Sequence, residues 1–194
     1  MKTHCRASWG FWWGFTRKGV ITIRKITNII IHCSDSTFGD SKTIDGWHKE
    51  KGWREIGYHY VVLNGVIAPG KYVKDNDGLI EAGREINNDT LMTENEVGAH
   101  ALGYNRDSIG ACMIGGVNGS KDYFSLPQYW STIILVAYWA SLIPSIRVSG
   151  HNETGVQKAC PVIDMDLFRK RVSELLNGYL CYKFLEEDVR SRGI

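Results

Sequence analysis

The sequence lacks several features that define whole classes of protein. None of its 194 residues belongs to a run approaching the ~18 apolar residues of a membrane-spanning helix. Its five cysteines form no close pairs, which argues against a disulfide framework and favours a reducing compartment or a metal-thiolate role. No internal repeat is visible, and a charged fraction of 23% is ordinary for a globular domain. Repeat arrays, collagen-like chains and disordered chains are therefore excluded.

Charge of one sign is missing from the start of the chain. Residues 1–28 carry six basic residues and no acidic ones, which leaves 17 basic against 21 acidic residues in the rest. The overall charge of +2 is too even to indicate nucleic acid as the main partner. We predict a basic extension over residues 1–25, one globular domain over 26–178 and a C-terminal tail over 179–194.

The extension is also rich in aromatic residues. Three of the seven tryptophans lie between Ser8 and Phe15, with basic residues on both sides. Two interpretations stay open: a flexible tail that folds over the body, or an arm that binds a membrane surface or a protein partner. Two glycines break the apolar stretch and Arg17-Lys18 follow it, so it is not typical of a secretory signal.

Strand and helix signals alternate along the rest of the chain. The β-branched run Ile26–Ile31 predicts a strand buried on both faces. Ser125 and Pro127 begin a long apolar helical stretch that ends near Ile143, and Asp164 begins a last helix that should end before Gly178. Further signals predict a helix over Thr43–Trp53, strands over Tyr58–Leu63, Leu79–Glu81, Ser108–Ile114 and Ile146–Val148, a turn at Asn64-Gly65 and a long connection over 65–77. This pattern predicts a single-domain α/β fold with a central mixed β-sheet flanked by helices.

Two of the six histidines stand where predicted strands end. These are His32 and His151, and Cys160 follows nine residues after the second. Functional sites of α/β sheets gather at the carboxyl ends of strands. Two imidazoles and a thiolate form a three-ligand zinc set that leaves a fourth position open for water. Taken alone, this spacing is more often explained by satisfied surface histidines and a buried, inert cysteine.

A longer series of motifs narrows these alternatives. The motifs, in chain order, are Ile30-Ile31-His32-Cys33-Ser34, Trp47-His48-Lys49-Glu50-Lys51-Gly52-Trp53, Ile56-Gly57-Tyr58-His59-Tyr60, Glu81-Ala82-Gly83-Arg84, Gly98-Ala99-His100, Gly103-Tyr104-Asn105, Ser108-Ile109-Gly110 and Lys158-Ala159-Cys160-Pro161. Together they resemble the zinc-dependent N-acetylmuramoyl-L-alanine amidase family, which includes phage lysozymes and the peptidoglycan recognition proteins. The resemblance covers most of residues 26–176.

The resemblance implies a role for particular residues. His32, His151 and Cys160 are expected to bind Zn²⁺. Tyr58 and Lys158 match the catalytic pair of the family, and His100 lies in a segment that resembles a wall of the substrate groove. One departure is the loop 152–157, whose six residues are one more than is usual in phage relatives.

Strand alternation gives further expectations near these residues. It places Tyr58 on the same face as Tyr60 and opposite to His59. It also turns Cys33 away from His32, as a small buried residue. We further expect an exposed His48, and Trp47 and Trp53 as packing residues.

The family resemblance implies a peptidoglycan hydrolase that cuts the amide between N-acetylmuramic acid and L-alanine. The alternatives are a non-catalytic peptidoglycan-binding relative, an RNA polymerase-regulating relative, and a thiol hydrolase that uses Cys160 as nucleophile. We expect a monomer that accumulates in the host cytoplasm before lysis and acts on peptidoglycan in the periplasm or cell wall.

Overall fold

A computed structural model describes residues 23–121 and 123–191, with side chains up to residue 178. Its elements are β1 (Arg24–Lys25), β2 (Asn28–Cys33), α1 (Ser41–Glu50), β3 (Tyr60–Ala68), β4 (Lys71–Ala82), β5 (Leu91–Met92), β6 (Ser108–Met113), α2 (Leu126–Leu142), β7 (Arg147–Gly150) and α3 (Met165–Ser191). None of the described helices combines the length and apolarity needed to cross a bilayer.

The central sheet has five strands in the order β4-β3-β6-β2-β7. β3 and β4 pair antiparallel, whereas β6, β2 and β7 run parallel to β3, so the predicted mixed α/β sheet is confirmed. The register pairs Ile31 with Gly150, which brings the residues following each of them to the same edge of the sheet. A separate two-stranded ribbon joins β1 to β5.

One face of the sheet is covered by α2 and α3. The largest fully buried side chains here include Trp139 of α2 and Phe168 of α3, which pack against Ile29 and Ile31 of β2. α2 begins with a capping box, in which Ser125 Oγ accepts from the Gln128 amide and the Gln128 side chain binds back to the Ser125 amide. The long helix is therefore confirmed within one residue of its predicted ends.

The other face carries a smaller apolar cluster. It contains Ile44 of α1, Val61 and Leu63 of β3, Cys112 of β6, and Trp47 packed against them. Asp40 caps α1 by accepting from the Thr43 amide at 2.7 Å. α1 ends at Glu50, so Trp53 lies outside the helix that was predicted to include it.

The predicted turn at Asn64-Gly65 is wrong. Both residues lie inside β3, and the chain reverses at Pro69-Gly70 between β3 and β4. The Asn64 side chain donates to the carbonyls of Thr37 and Tyr123 and accepts from the Val66 amide. Gly65 has φ of 80°, and the β3–β4 register shifts on both sides of it. The turn-forming residues therefore make an irregularity within a hairpin, and the expected long connection 65–77 is mostly strand.

Gly178 does not end the last helix, contrary to the prediction. α3 continues to Ser191, and a side chain at Gly178 would meet no atom within 4 Å. A single glycine costs a helix about 1 kcal/mol relative to alanine, which good helix formers on either side can offset. The division of the chain at residue 178 remains a prediction.

Candidate active site

Three donor side chains meet at the carboxyl edge of the sheet. His32 lies near the end of β2, His151 directly follows β7, and Cys160 lies in the loop before α3. One ligand atom from each residue lies within 4.8 Å of the others, and the two imidazole rings are 4.4 Å apart. The pairing of Ile31 with Gly150 explains this proximity, because each histidine follows its paired residue.

The spacing of these atoms suits a metal ion. His32 Nδ1 lies 3.9 Å from Cys160 Sγ. In a tetrahedral zinc site, a nitrogen and a sulfur ligand lie about 3.5 Å apart, given ordinary bond lengths. The backbone amide of Cys33 also donates to Cys160 Sγ at 3.1 Å, and such a hydrogen bond orients and stabilises a thiolate ligand.

The electrostatic environment keeps both imidazoles neutral. Burial, together with the nearby His100, His151 and Lys158, holds the pKa of His32 well below its usual range. Burial and the Lys158 charge also lower the pKa of His151. Neutral imidazoles are the form that binds metals. A hydrogen bond with the Cys33 side chain, together with burial, raises the pKa of the Cys160 thiol despite the opposing effect of the Cys33 amide, so an ion-free site would hold a thiol and not a thiolate.

Tyr58 lies beside the three donors but not as strand alternation predicted. β3 begins only at Tyr60, and Tyr58 packs with the smaller cluster whereas Tyr60 packs with the larger one. The expectation that Tyr58 and Tyr60 share a face is therefore wrong, because alternation does not extend past the end of a strand. The Tyr58 ring lies 5.1 Å from the His32 ring. Burial raises the pKa of its phenol, which keeps the proton on the oxygen at neutral pH.

Lys158 lines two cavities at the site. One cavity of about 590 Å³ is mostly polar and is lined by Tyr58, His151, Cys160 and Lys158, with Lys51 and Asp35 at its side. The second, of about 340 Å³, is lined by Trp53, His100, His151 and Lys158, among others. Lys158 is exposed, and its charge acts on both histidines of the donor set. The extra residue in the loop 152–157 therefore leaves Lys158 at the site.

Cys33 and His100 lie close to the donors. Cys33 is 9% exposed, in keeping with its prediction as a small buried residue, but it also lines the polar cavity. His100 is 8% exposed, and its Nδ1 lies 3.0 Å from Nε2 of His32. Its ring also borders the second cavity.

Sequence reasoning misjudged two aromatic residues next to the site. His48 is buried, contrary to the prediction, and its Nδ1 accepts from the Gly57 amide at 3.0 Å. Trp53, predicted to be a packing residue, is 43% exposed and lies over the His48 ring at 4.4 Å while lining the second cavity. Trp53 follows Gly52, which has a positive φ just past the end of α1, and the glycine at this position was the signal available in the sequence.

Comparison with known proteins adds a family and a fold. The family model described as N-acetylmuramoyl-L-alanine amidase matches residues 22–162. The endolysin of Escherichia phage T7 is 32% identical over 143 residues, covering 71% of this chain and 81% of the relative. The endolysin of Enterobacteria phage T3 is 33% identical over 144 residues with the same coverage.

Two solved structures show the same fold. The N-acetylmuramoyl-L-alanine amidase LysC from Clostridium intestinale URNW aligns with a TM-score of 0.60 at 24% identity, over 77% of this chain and 87% of that one. Wild-type Drosophila PGRP-LB aligns with a TM-score of 0.53 at 21% identity, over 73% and 79%. The sheet and its flanking helices are thus shared across distant sequences.

Proposed function

This chain belongs to the N-acetylmuramoyl-L-alanine amidase family and is a peptidoglycan-hydrolysing amidase, and we propose that it works by zinc-activated water. The observation that supports this most directly is the cluster of His32, His151 and Cys160, with ligand atoms within 4.8 Å. The bond cut is the amide between N-acetylmuramic acid and L-alanine.

The donor set matches the needs of this reaction. An amide carbonyl is a poor electrophile, and bulk water is a poor nucleophile. A bound zinc ion lowers the pKa of its water from 15.7 toward about 7 and polarises a carbonyl. Two neutral imidazoles and one thiolate leave a coordination position free, as catalytic zinc sites require. The ligands in this proposal are His32, His151 and Cys160.

Lys158 and Tyr58 are proposed as the catalytic pair. The Lys158 ammonium borders both cavities and stabilises the negative oxygen that forms when water adds to the amide carbonyl. The Tyr58 phenol holds its proton and is therefore suited to donate a hydrogen bond or a proton to the leaving amine. His100 is proposed as part of the wall of the substrate groove, because it lines the second cavity.

Several further properties are part of the same proposal. The protein acts as a monomer and reaches peptidoglycan from the host cytoplasm at lysis, in the manner of an endolysin. Residues 1–25 bind a membrane surface or a protein partner. Residues 1–22 lie outside the described part of the chain, so the support for this role is the run of aromatic and basic residues.

The first experiment is a digest of purified peptidoglycan with the zinc-loaded protein. Mass spectrometry and amine labelling should show stem peptides with a new free L-alanine amine. A strong chelator should abolish their release, and added zinc should restore it. Activity that survives the chelator but is lost on thiol alkylation would instead indicate a thiol hydrolase. Binding of peptidoglycan without cleavage would indicate a recognition module.

Replacing Lys158 tests the proposed catalytic pair. Lys158→Ala should slow amide cleavage roughly a hundredfold, because one stabilising charge at the oxyanion is lost. The zinc content should stay at one ion per chain, since the side chain is not a ligand. Lys51→Ala is the matched control, because Lys51 lines the same cavity but not the second one. A near-normal rate for Lys158→Ala would remove this lysine from the mechanism.

A further inference from the structure

The two ring nitrogens of His32 face different partners. Nδ1 lies 3.9 Å from Cys160 Sγ, on the side of the donor cluster. Nε2 lies 3.0 Å from Nδ1 of His100. His32 is 1% exposed, so both of its ring nitrogens must be satisfied by the groups that they face and not by bulk water. The nitrogen available to a cation is therefore Nδ1, and Nε2 must be satisfied by His100.

Proton accounting then fixes the direction of this hydrogen bond. A neutral imidazole has one N–H, and a metal ion binds the nitrogen that lacks it. If Nδ1 of His32 binds the ion, the proton is on Nε2 and is donated to Nδ1 of His100. His100 must then carry its own proton on Nε2.

Ser108 provides an acceptor for that second proton. His100 Nε2 lies 3.4 Å from the Ser108 carbonyl oxygen and also 3.4 Å from its hydroxyl. The hydroxyl already donates to the Tyr104 carbonyl at 2.6 Å. The Ser108 carbonyl can only accept, so it favours the His100 tautomer with the proton on Nε2. The contacts therefore form a chain from His32 through His100 to the backbone of β6.

The surrounding backbone holds the His100 ring in place. A Cβ atom at Gly110 would lie 2.5 Å from the ring, and one at Gly98 would lie 2.7 Å from it. The backbone amide of His100 donates to Asn105 Oδ1 at 2.8 Å. The His59 ring contacts the His100 ring edge-on, with centroids 5.6 Å apart. Two glycines thus provide a slot that a larger residue at either position would fill.

We propose that His100 is a positioning residue that holds His32 in the tautomer whose Nδ1 is free to bind a metal ion. The inference rests on the proposed zinc site and adds a residue that acts on the metal only through His32. A second residue that orients a metal-binding histidine in this way commonly changes metal affinity by 10–100-fold.

The tautomers can be measured directly in the unmodified, zinc-free protein. Nitrogen-15 NMR of histidine-labelled protein distinguishes Nδ1–H from Nε2–H imidazoles. We expect Nε2–H signals for both His32 and His100. An Nδ1–H tautomer for His32 would overturn the proposal, and this measurement does not depend on whether any variant folds.

Zinc affinity provides the second test. His100→Leu removes the acceptor, and its dissociation constant for zinc, measured by competition with a chromophoric chelator, should rise roughly 10–100-fold. His100→Asn places an amide oxygen near the position of Nδ1 and should restore most of the affinity. An affinity of His100→Leu equal to the wild-type value would overturn the proposal.

His59→Leu is the matched control for these variants. His59 is also buried and its ring contacts the His100 ring, but its hydrogen bonds go to Glu96 and Gly110. This variant should lose stability and keep its zinc affinity within a few-fold of wild type. If His59→Leu weakens zinc binding as much as His100→Leu does, the cause is a general loss of packing around these histidines, and the proposal fails. A wild-type protein that binds no zinc would instead refute the proposed metal centre, while the tautomer measurement would still report on His32 and His100.

Discussion

The two faces of the central sheet are both buried, but their chemistry differs. Under α2 and α3 most of the buried side chains are apolar, such as Trp139 and Phe168, and the buried polar side chains of α2 are Gln128 and Thr132. On the opposite face, His32, His59 and His100 replace part of the apolar packing. Among the described residues, no buried side-chain nitrogen or oxygen lacks a hydrogen-bond partner. We refer to these as the apolar face and the histidine face.

This difference separates stability from chemistry. Burial of apolar side chains stabilises a fold roughly in proportion to the apolar area removed from water, and it does not require a particular orientation of the groups. A buried imidazole costs about 1–3 kcal/mol if its nitrogens are left without partners, so each one must be placed against specific groups. Directional placement of neutral, partnered imidazoles is what a metal site needs. The histidine face therefore carries the proposed reactive groups, whereas the apolar face supports the strands that position them.

The strongest test replaces a donor at the edge of the histidine face. Cys160→Ser should lower zinc content and reduce the rate of amide cleavage by roughly a thousandfold or more, because a loss of about 4 kcal/mol of transition-state stabilisation has that effect. The unfolding free energy of the zinc-free protein should change by less than about 1 kcal/mol. Elemental analysis, amine release and urea unfolding in chelator measure these three quantities. Full zinc occupancy in this variant would exclude Cys160 as a ligand.

A substitution on the apolar face should give the opposite pattern. Phe168→Ala should lower the unfolding free energy by about 3–5 kcal/mol, since Phe168 is 0% exposed and its removal leaves a cavity. Zinc affinity and turnover of the folded fraction should stay at wild-type values. Leu167→Ala, at a neighbouring position that is 44% exposed, is the control and should cost less than about 1 kcal/mol. A selective loss of turnover in Phe168→Ala would show that the two faces are not separable.

The sequence predicted the apolar face well because its signals are local or periodic. The isoleucine run of β2 and the Ser125 cap of α2 specify a strand and a helix without knowledge of the rest of the chain. The proximity of His32 and His151 followed from the rule that sites gather at the carboxyl ends of strands. Cys160 was a candidate third ligand from its position after His151, and the resemblance to a family then favoured that role over an inert buried cysteine.

The histidine face was harder to predict because its contacts are long-range. His48 is buried where its Nδ1 accepts a hydrogen bond from the Gly57 amide and its ring contacts Trp53. The hydrophobic periodicity of the sequence does not predict either contact. The face of the sheet on which Tyr58 lies depends on where β3 begins. The strand was predicted to begin at Tyr58 but begins at Tyr60, and this difference of two residues places Tyr58 on the other face. The contact between His32 and His100 joins residues 68 positions apart and requires the slot between Gly98 and Gly110.

The smallest effect we predict concerns the response of the histidine face to acid. Burial lowers the pKa of His59 from 6.5 to about 4. Between these two pKa values the unfolded chain binds a proton that the folded chain excludes. The contribution of His59 to the unfolding free energy is therefore fully present above about pH 6.5. It falls as the pH drops toward 4, by up to about 1.4 kcal/mol per pH unit for one such group.

His59→Asn keeps an acceptor for the Gly110 amide but cannot titrate. Although less stable at neutral pH, this variant should lose about 2 kcal/mol less than the zinc-free wild type in urea unfolding between pH 7.5 and pH 5. Phe168→Ala, which alters no titrating group, should show the wild-type pH dependence from a lower starting stability. An unchanged pH dependence in His59→Asn would mean that this imidazole has the same pKa in the folded and unfolded states, and the proposed difference between the faces would then lie in hydrogen bonding and not in protonation.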